Sequence, residues 1–145
     1  MSPNDKVTVE YKNTAKEVHE ILFNSEGVPD ITIDYTDIPT DRRGGTSVAL
    51  LAASALYCFS STLYSCLIAR GAEVLSLTGR ATAEKEKDEV YRTKVAGINI
   101  EVEVGLEDKD LPILEKCERI MARGCLVTYS LEDAFDIDYK IKRIS

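Results

Sequence analysis

A chain of 145 residues, 44% hydrophobic and 30% charged, is long enough to bury one core and too short for two ordinary ones, so a single domain over residues 1–145 is expected. A formal net charge of −7 and a pI near 4.8 disfavour nucleic acid and anionic membrane surfaces as partners, because both are held by clustered Lys and Arg. Four cysteines without a C-x-x-C pair, and a single histidine, leave too few ligands for structural zinc.

The first residues, with Asp5, Lys6 and Glu10, contain no apolar run of the kind that directs secretion, so a cytoplasmic location is expected, where thiols stay reduced. From Lys6 to Tyr11, Val7, Val9 and Tyr11 alternate with Lys6, Thr8 and Glu10, the period of a half-buried strand. Glu17–Phe23 is its expected hairpin partner, across a turn at Asn13-Thr14. Gly27-Val28-Pro29 breaks the chain again, and Ile31, Ile33 and Tyr35 suggest a third strand.

Pro39 to Gly45 reads as a loop. Thr46 or Ser47 is expected to cap a helix that runs to Arg70 and stops at Gly71 in the C′ position. Gly44 to Ala69 carries no charge and has the length of a bilayer span. However, Ser47, Ser54, Ser60, Ser61, Thr62 and Ser65, with Tyr57 and Tyr64, dilute its hydrophobicity, which favours a buried helix of a soluble protein. With no polar face, such a helix needs cover on every side, and a dimer sharing its core would supply it.

Val74–Glu84 and Val90–Leu106 read as a long hairpin closed by the charged turn Lys85–Glu89, with Ile98, Ile100, Val102 and Val104 alternating against Asn99, Glu101 and Glu103. A second helix starts near Asp110: Ile113, Leu114, Cys117, Ile120 and Met121 share one face, Pro112 fits the first turn and Gly124 ends it. A short helix over Leu126–Asp133 follows. Phe135, Ile137, Tyr139 and Ile141 then alternate in a last strand. The order βββ-α-ββ-α-(short α)-β indicates an α+β fold with mainly antiparallel sheet.

Cys58 sits mid-helix among Ser54, Ala55, Ser61 and Thr62, a small-residue face that suits close helix packing or a small ligand beside the sulfur. Cys125 follows Gly124 at the start of the short helix, where the dipole favours a thiolate. Cys66 lies two turns beyond Cys58, about 12 Å along the axis, too far for a bridge. Cys66 and Cys117 read as core residues, and His19, beside Glu17 and Glu20, as a surface or packing residue.

The segment Gly45-Thr46-Ser47-Val48-Ala49-Leu50-Leu51-Ala52-Ala53-Ser54-Ala55-Leu56-Tyr57-Cys58-Phe59-Ser60 resembles the G-T-x-P-E-x-L-x-x-A-x-x-A-C-F-S signature of the OsmC/Ohr family. Arg123-Gly124-Cys125-Leu126-Val127-Thr128 is similar to its second motif, G-C-P-V-S. The resemblance implies mainly antiparallel sheets packed around a long central helix, in an intertwined homodimer with active sites at the subunit interface. It also implies a thiol-dependent peroxidase of organic or inorganic hydroperoxides. Cys58 would be the peroxidatic residue and Cys125 the resolving one, with an external dithiol as reductant and no metal or organic cofactor.

Counted back ten residues from Cys58, the chain has Val48 where the family has a catalytic Glu, preceded by Ser47 where it has Pro, and in the second motif Leu126 stands where the family has Pro. The first hairpin offers only Lys12 and Lys16 in place of the family's Arg. A buried mid-helix thiol has a raised pKa unless a cation lies near, and Arg42, Arg43 and Lys16 are the candidate cations. The alternative is the same scaffold, without its activating Glu and Arg, binding a small apolar ligand or serving another redox role.

Overall fold

The computed structural model describes residues 5–145. Its elements are β1 (Glu10–Ala15), β2 (Val18–Leu22), β3 (Ile31–Asp34), α1 (Thr46–Ala69), β4 (Ser76–Lys87), β5 (Thr93–Gly105), α2 (Leu111–Met121), α3 (Leu126–Leu131) and β6 (Asp136–Ile144). This is the α+β order read from the sequence, with 3₁₀ turns added at Thr40–Arg42 and Asp108–Asp110. Packing divides the chain into an N-terminal unit ending at Gly44 and a larger unit, Gly45–Ser145.

The N-terminal unit holds the antiparallel sheet β1-β2-β3. Its first turn lies at Lys16-Glu17, with Glu17 at φ 64, and not at Asn13-Thr14. A two-residue hairpin loop requires positive φ. Asn13 acts on that turn from within the strand, its Nδ2 donating to the carbonyls of Ala15 and Val18, each at 2.8 Å. Lys6–Val9 lies outside the strand despite its alternation. The ladder is complete when Glu10 pairs with Leu22, the last residue of β2, and a strand without a partner has no ladder to join.

In the larger unit, α1 is preceded by Gly45 at φ 75, whose carbonyl accepts the Ala49 N–H at 2.8 Å; neither Thr46 nor Ser47 is the cap. At the other end Gly71 stands at φ 85, with Gly71 N–H bonded to Ile68 O and Ala72 N–H to Leu67 O, each at 3.0 Å, the Schellman pattern. The stripe Ala52, Ala55, Phe59, Leu63 and Leu67 is buried together with Ile98, Ile100, Val102 and Val104 of β5. The helix is therefore not covered on every side: Tyr57, Tyr64 and Ile68 are exposed. By length and composition, the segment Thr40–Ala69 containing α1 is long and apolar enough to cross a membrane, but its buried stripe makes it the core helix of this unit.

β4 and β5 pair antiparallel from Ser76↔Gly105 to Lys87↔Thr93, with a bulge at Glu84/Lys85. Their turn falls at Asp88–Arg92, beyond the expected Lys85–Glu89, because Asp88 Oδ1 accepts the N–H groups of Val90 and Arg92 at 3.0 and 2.9 Å. β6 joins β5 in parallel, from Gly97↔Asp136 to Gly105↔Ile144, and α2 and α3 form the crossover that parallel pairing requires. Among the described residues, three of the four strand pairings are antiparallel.

Candidate active site: two thiols at the start of a short helix

α2 ends at Met121, and the chain reverses at Gly124, φ 78, to deliver Cys125 to the N-cap of α3. A Cβ on Gly124 would lie 2.8 Å from Thr128 Oγ1 and 2.9 Å from the Tyr139 hydroxyl, so glycine is required by conformation and by space alike. Tyr139 is itself stacked on Phe59, the neighbour of Cys58, with ring centroids 4.9 Å apart. One aromatic pair thus ties α1 and β6 together beneath the turn.

Cys125 and Thr128 cap α3 reciprocally. Thr128 Oγ1 accepts the Cys125 N–H at 2.9 Å and lies 3.4 Å from Cys125 Sγ, while the Cys125 side chain accepts the N–H of Thr128. The Cys58 thiol, from the middle of α1, is hydrogen-bonded to the Cys125 thiol, and the N–H groups of Leu126 and Val127 also point at its sulfur. Two cysteines remote in sequence are neighbours at one helix start.

Their electrostatics diverge. Burial pushes the Cys58 thiol above its ordinary value, and the hydrogen bond to Cys125 adds to this, outweighing the Val127 and Leu126 N–H groups that pull it down. Burial also acts upward on Cys125. There it is overcome by hydrogen bonds from the Thr128 hydroxyl, the Cys58 thiol and the N–H groups of Thr128 and Val127, which leave Cys125 below its ordinary value. The two sulfurs are thus set in opposite directions, Cys58 up and Cys125 down, the latter in keeping with its place at a helix start. Cys125 is nearly buried, beside an open depression of about 510 Å³ lined by Thr62, Arg123, Gly124, Cys125, Leu126 and Tyr129.

The candidate cations all lie in the N-terminal unit. Arg43 is engaged there: Nη1 meets Glu17 Oε2 at 2.8 Å, Nε donates to Ile38 O at 2.7 Å, and the guanidinium stands 5.9 Å from the Tyr35 ring centroid. Arg42 and Lys16 are exposed. The leading influences on Cys58 are burial, Cys125 and backbone N–H groups, none of them a cation. His19 shares a 2.7 Å hydrogen bond with the Tyr11 hydroxyl and stacks on its ring, a packing residue of the first hairpin.

Cys117 is a fully buried core residue, as its helical spacing indicates, whereas Cys66 is half-buried and its thiol meets that of Cys117. Among the described residues no group of three or more His, Cys, Asp or Glu is placed to hold a metal ion. Thr128 and Tyr139 are site residues to which the sequence alone assigned no individual role, and Gly124 was marked there only as a helix end and a motif residue. The signal for Thr128 was present in Cys125-x-x-Thr128, which has capping-box spacing.

A sequence model described as OsmC-like protein matches residues 40–140. No curated protein sequence matches the chain. Among solved structures, an OsmC-like protein from Mycoplasma pneumoniae superposes with TM-score 0.76 at 13% identity, covering 98% of this chain and 99% of that one. An OsmC-like protein of unknown function from Vibrio cholerae gives TM-score 0.72 at 17% identity, covering 94% and 99%. An organic hydroperoxide resistance protein from Elizabethkingia anophelis gives 0.63 at 14% identity, covering 97% and 99%. These likenesses show the fold, and the match over residues 40–140 takes in both cysteine motifs: the chain belongs to the OsmC-like protein family.

Proposed function

We propose that this protein is a thiol-dependent peroxidase of organic or inorganic hydroperoxides that works through Cys58 and Cys125 in a homodimer, with an external dithiol as reductant in the cytoplasm. The observation that carries the reading is the paired thiols at the start of α3, one lowered and one raised. The organic hydroperoxide resistance proteins from Elizabethkingia anophelis and Bacillus subtilis, which share the fold, support the choice of substrate.

The Cys125 thiolate attacks the terminal oxygen of the hydroperoxide. The O–O bond breaks, and the alkoxide takes a proton from solvent and leaves as an alcohol. Cys125 is now a sulfenic acid. Cys58 attacks that sulfur, hydroxide leaves as water with the Cys58 proton, and a Cys58–Cys125 disulfide forms. The external dithiol then reduces it by exchange. Here the order of attack follows the lowered Cys125 thiol, the reverse of the roles implied by the family resemblance.

Cumene hydroperoxide added in stoichiometric amount should remove two alkylatable thiols and yield a linked Cys58–Cys125 peptide. Both thiols persisting under excess peroxide would reject the peroxidase. The single variants decide the order: Cys58→Ser should form a sulfenate at Cys125 at near wild-type rate, and Cys125→Ser should lose the initial step. A Cys125→Ser variant that oxidises Cys58 at wild-type rate would restore the family's assignment.

A further inference from the structure

Eight residues along α1 from Cys58, a second pair of sulfurs meets at the α1–α2 contact. Cys66, half-buried on α1, is hydrogen-bonded to Cys117, which is fully buried on the apolar face of α2. Arg70, one turn further along α1, places Nη1 3.3 Å from Cys66 Sγ and 3.2 Å from the Cys66 carbonyl. This is the charged partner that Cys58 lacks among its leading influences. The sulfur that holds the guanidinium hydrogen bond is also the reachable one, since Cys117 is fully buried, so the arrangement marks Cys66 as the group that attacks. Cys117 has the opposite setting: burial, reinforced by the bond to Cys66, pushes its thiol up to about 12, so it waits as a protonated thiol.

We propose that Cys66 and Cys117 are a second redox-active dithiol, in which Cys66, assisted by Arg70, reacts with a hydroperoxide and Cys117 closes a disulfide between α1 and α2. In the first step Cys66 sulfur attacks the terminal oxygen, the O–O bond breaks, and the alcohol leaves with the displaced proton. In the second, Cys117 sulfur attacks the Cys66 sulfenic acid and its own proton leaves with the hydroxide as water. Two thiols and one hydroperoxide become one disulfide, one alcohol and one water. Cys58 and Cys66 are separated by about 12 Å along the helix axis, so the two pairs do not exchange directly and each must be reduced separately. Closing the second pair joins α1 and α2 covalently, which makes it a latch whose state reports the oxidant.

The test uses the full-length Cys58→Ser/Cys125→Ser variant, which lacks the first pair and so separates this proposal from the proposed peroxidase. Excess cumene hydroperoxide should lower its mass by two hydrogens, abolish alkylation of both remaining thiols and give a linked Cys66–Cys117 peptide. Adding Arg70→Gln should slow that loss on the order of tenfold, as expected when a charge-assisted hydrogen bond is removed. If the double variant fails to fold, the linked Cys66–Cys117 peptide is sought in the oxidised wild-type chain. Two thiols that remain alkylatable, or a Cys66 sulfinic acid beside a free Cys117, would overturn the proposal.

Discussion

Thr128 is fully buried, and its hydroxyl serves both the backbone and the sulfur of Cys125. Thr128→Val keeps the shape and removes the hydroxyl, so the Cys125 thiol should move up and its thiolate fraction at neutral pH should fall. Iodoacetamide labelling of Cys125 at pH 7 should slow on the order of tenfold, the worth of one hydrogen bond to a charged group, and its rise with pH should shift to higher pH. Thr128→Ser should label like wild type, and an unchanged profile in Thr128→Val would show that the hydroxyl does not hold the Cys125 thiol down. Cys117 gives the opposite dependence. Its thiol is held up to about 12 when folded, while in the unfolded chain it ionises near the ordinary 9.0. Between these values the unfolded state binds fewer protons, so this contribution to stability is full below about pH 9 and is lost as pH rises toward 12. Urea melts at pH 8 and pH 10.5 should show a larger loss for wild type than for Cys117→Ala. Cys58 and Cys125 were legible in the sequence through two motifs. The Cys66–Arg70–Cys117 cluster was not, because helical spacing shows that Cys117 faces the core without showing which residue of another helix it meets there.

Gly124 shows what the turn before α3 demands. An alanine there must hold φ near 78 and place a methyl against Thr128 and Tyr139, the two side chains that frame Cys125 and the Phe59 stack. Gly124→Ala should destabilise the protein by about 2 kcal/mol from backbone strain and crowding together, read as a shift of the urea midpoint, and should also slow Cys125 labelling. Loss of stability with unchanged labelling would mean that the turn supports the fold and not the thiol. Elements with a strong period were read well: the alternation from Ile98 to Val104 is the buried face of β5, and the spacing from Leu114 to Met121 is the buried face of α2. The turns were not. Lys16-Glu17 has no glycine to announce positive φ, and the Asp88 turn depends on one carboxylate bonding two N–H groups. The parallel pairing of β6 follows from a crossover built by two helices, a tertiary fact that strand alternation does not carry.

At the scale of the molecule, α1 presents a question its own chain leaves open. Its sequence is apolar or small on every side, and the fold buries one stripe. Tyr57 remains 75% exposed, Tyr64 47% and Ile68 45%, and beside Tyr57 and Tyr64 lies an apolar groove of about 590 Å³ also lined by Ala53, Leu56 and Leu77. Apolar surface gathered along one helix is the feature of an interface more than of a solvated face. The proposed homodimer supplies the occupant, because a two-fold axis brings the same face of a second copy against it without requiring a different partner. Wild-type protein in the tens of micromolar should then sediment at twice 16.1 kDa, and Tyr57→Glu/Tyr64→Glu, which sets like charges facing each other across such an axis, should sediment at 16.1 kDa with its far-UV spectrum retained. A wild-type monomer at that concentration would sink the dimer. Binding of α1 to phosphatidylcholine vesicles would assign its exposed face to lipid, an outcome disfavoured by the anchoring of its opposite stripe in the core around β5.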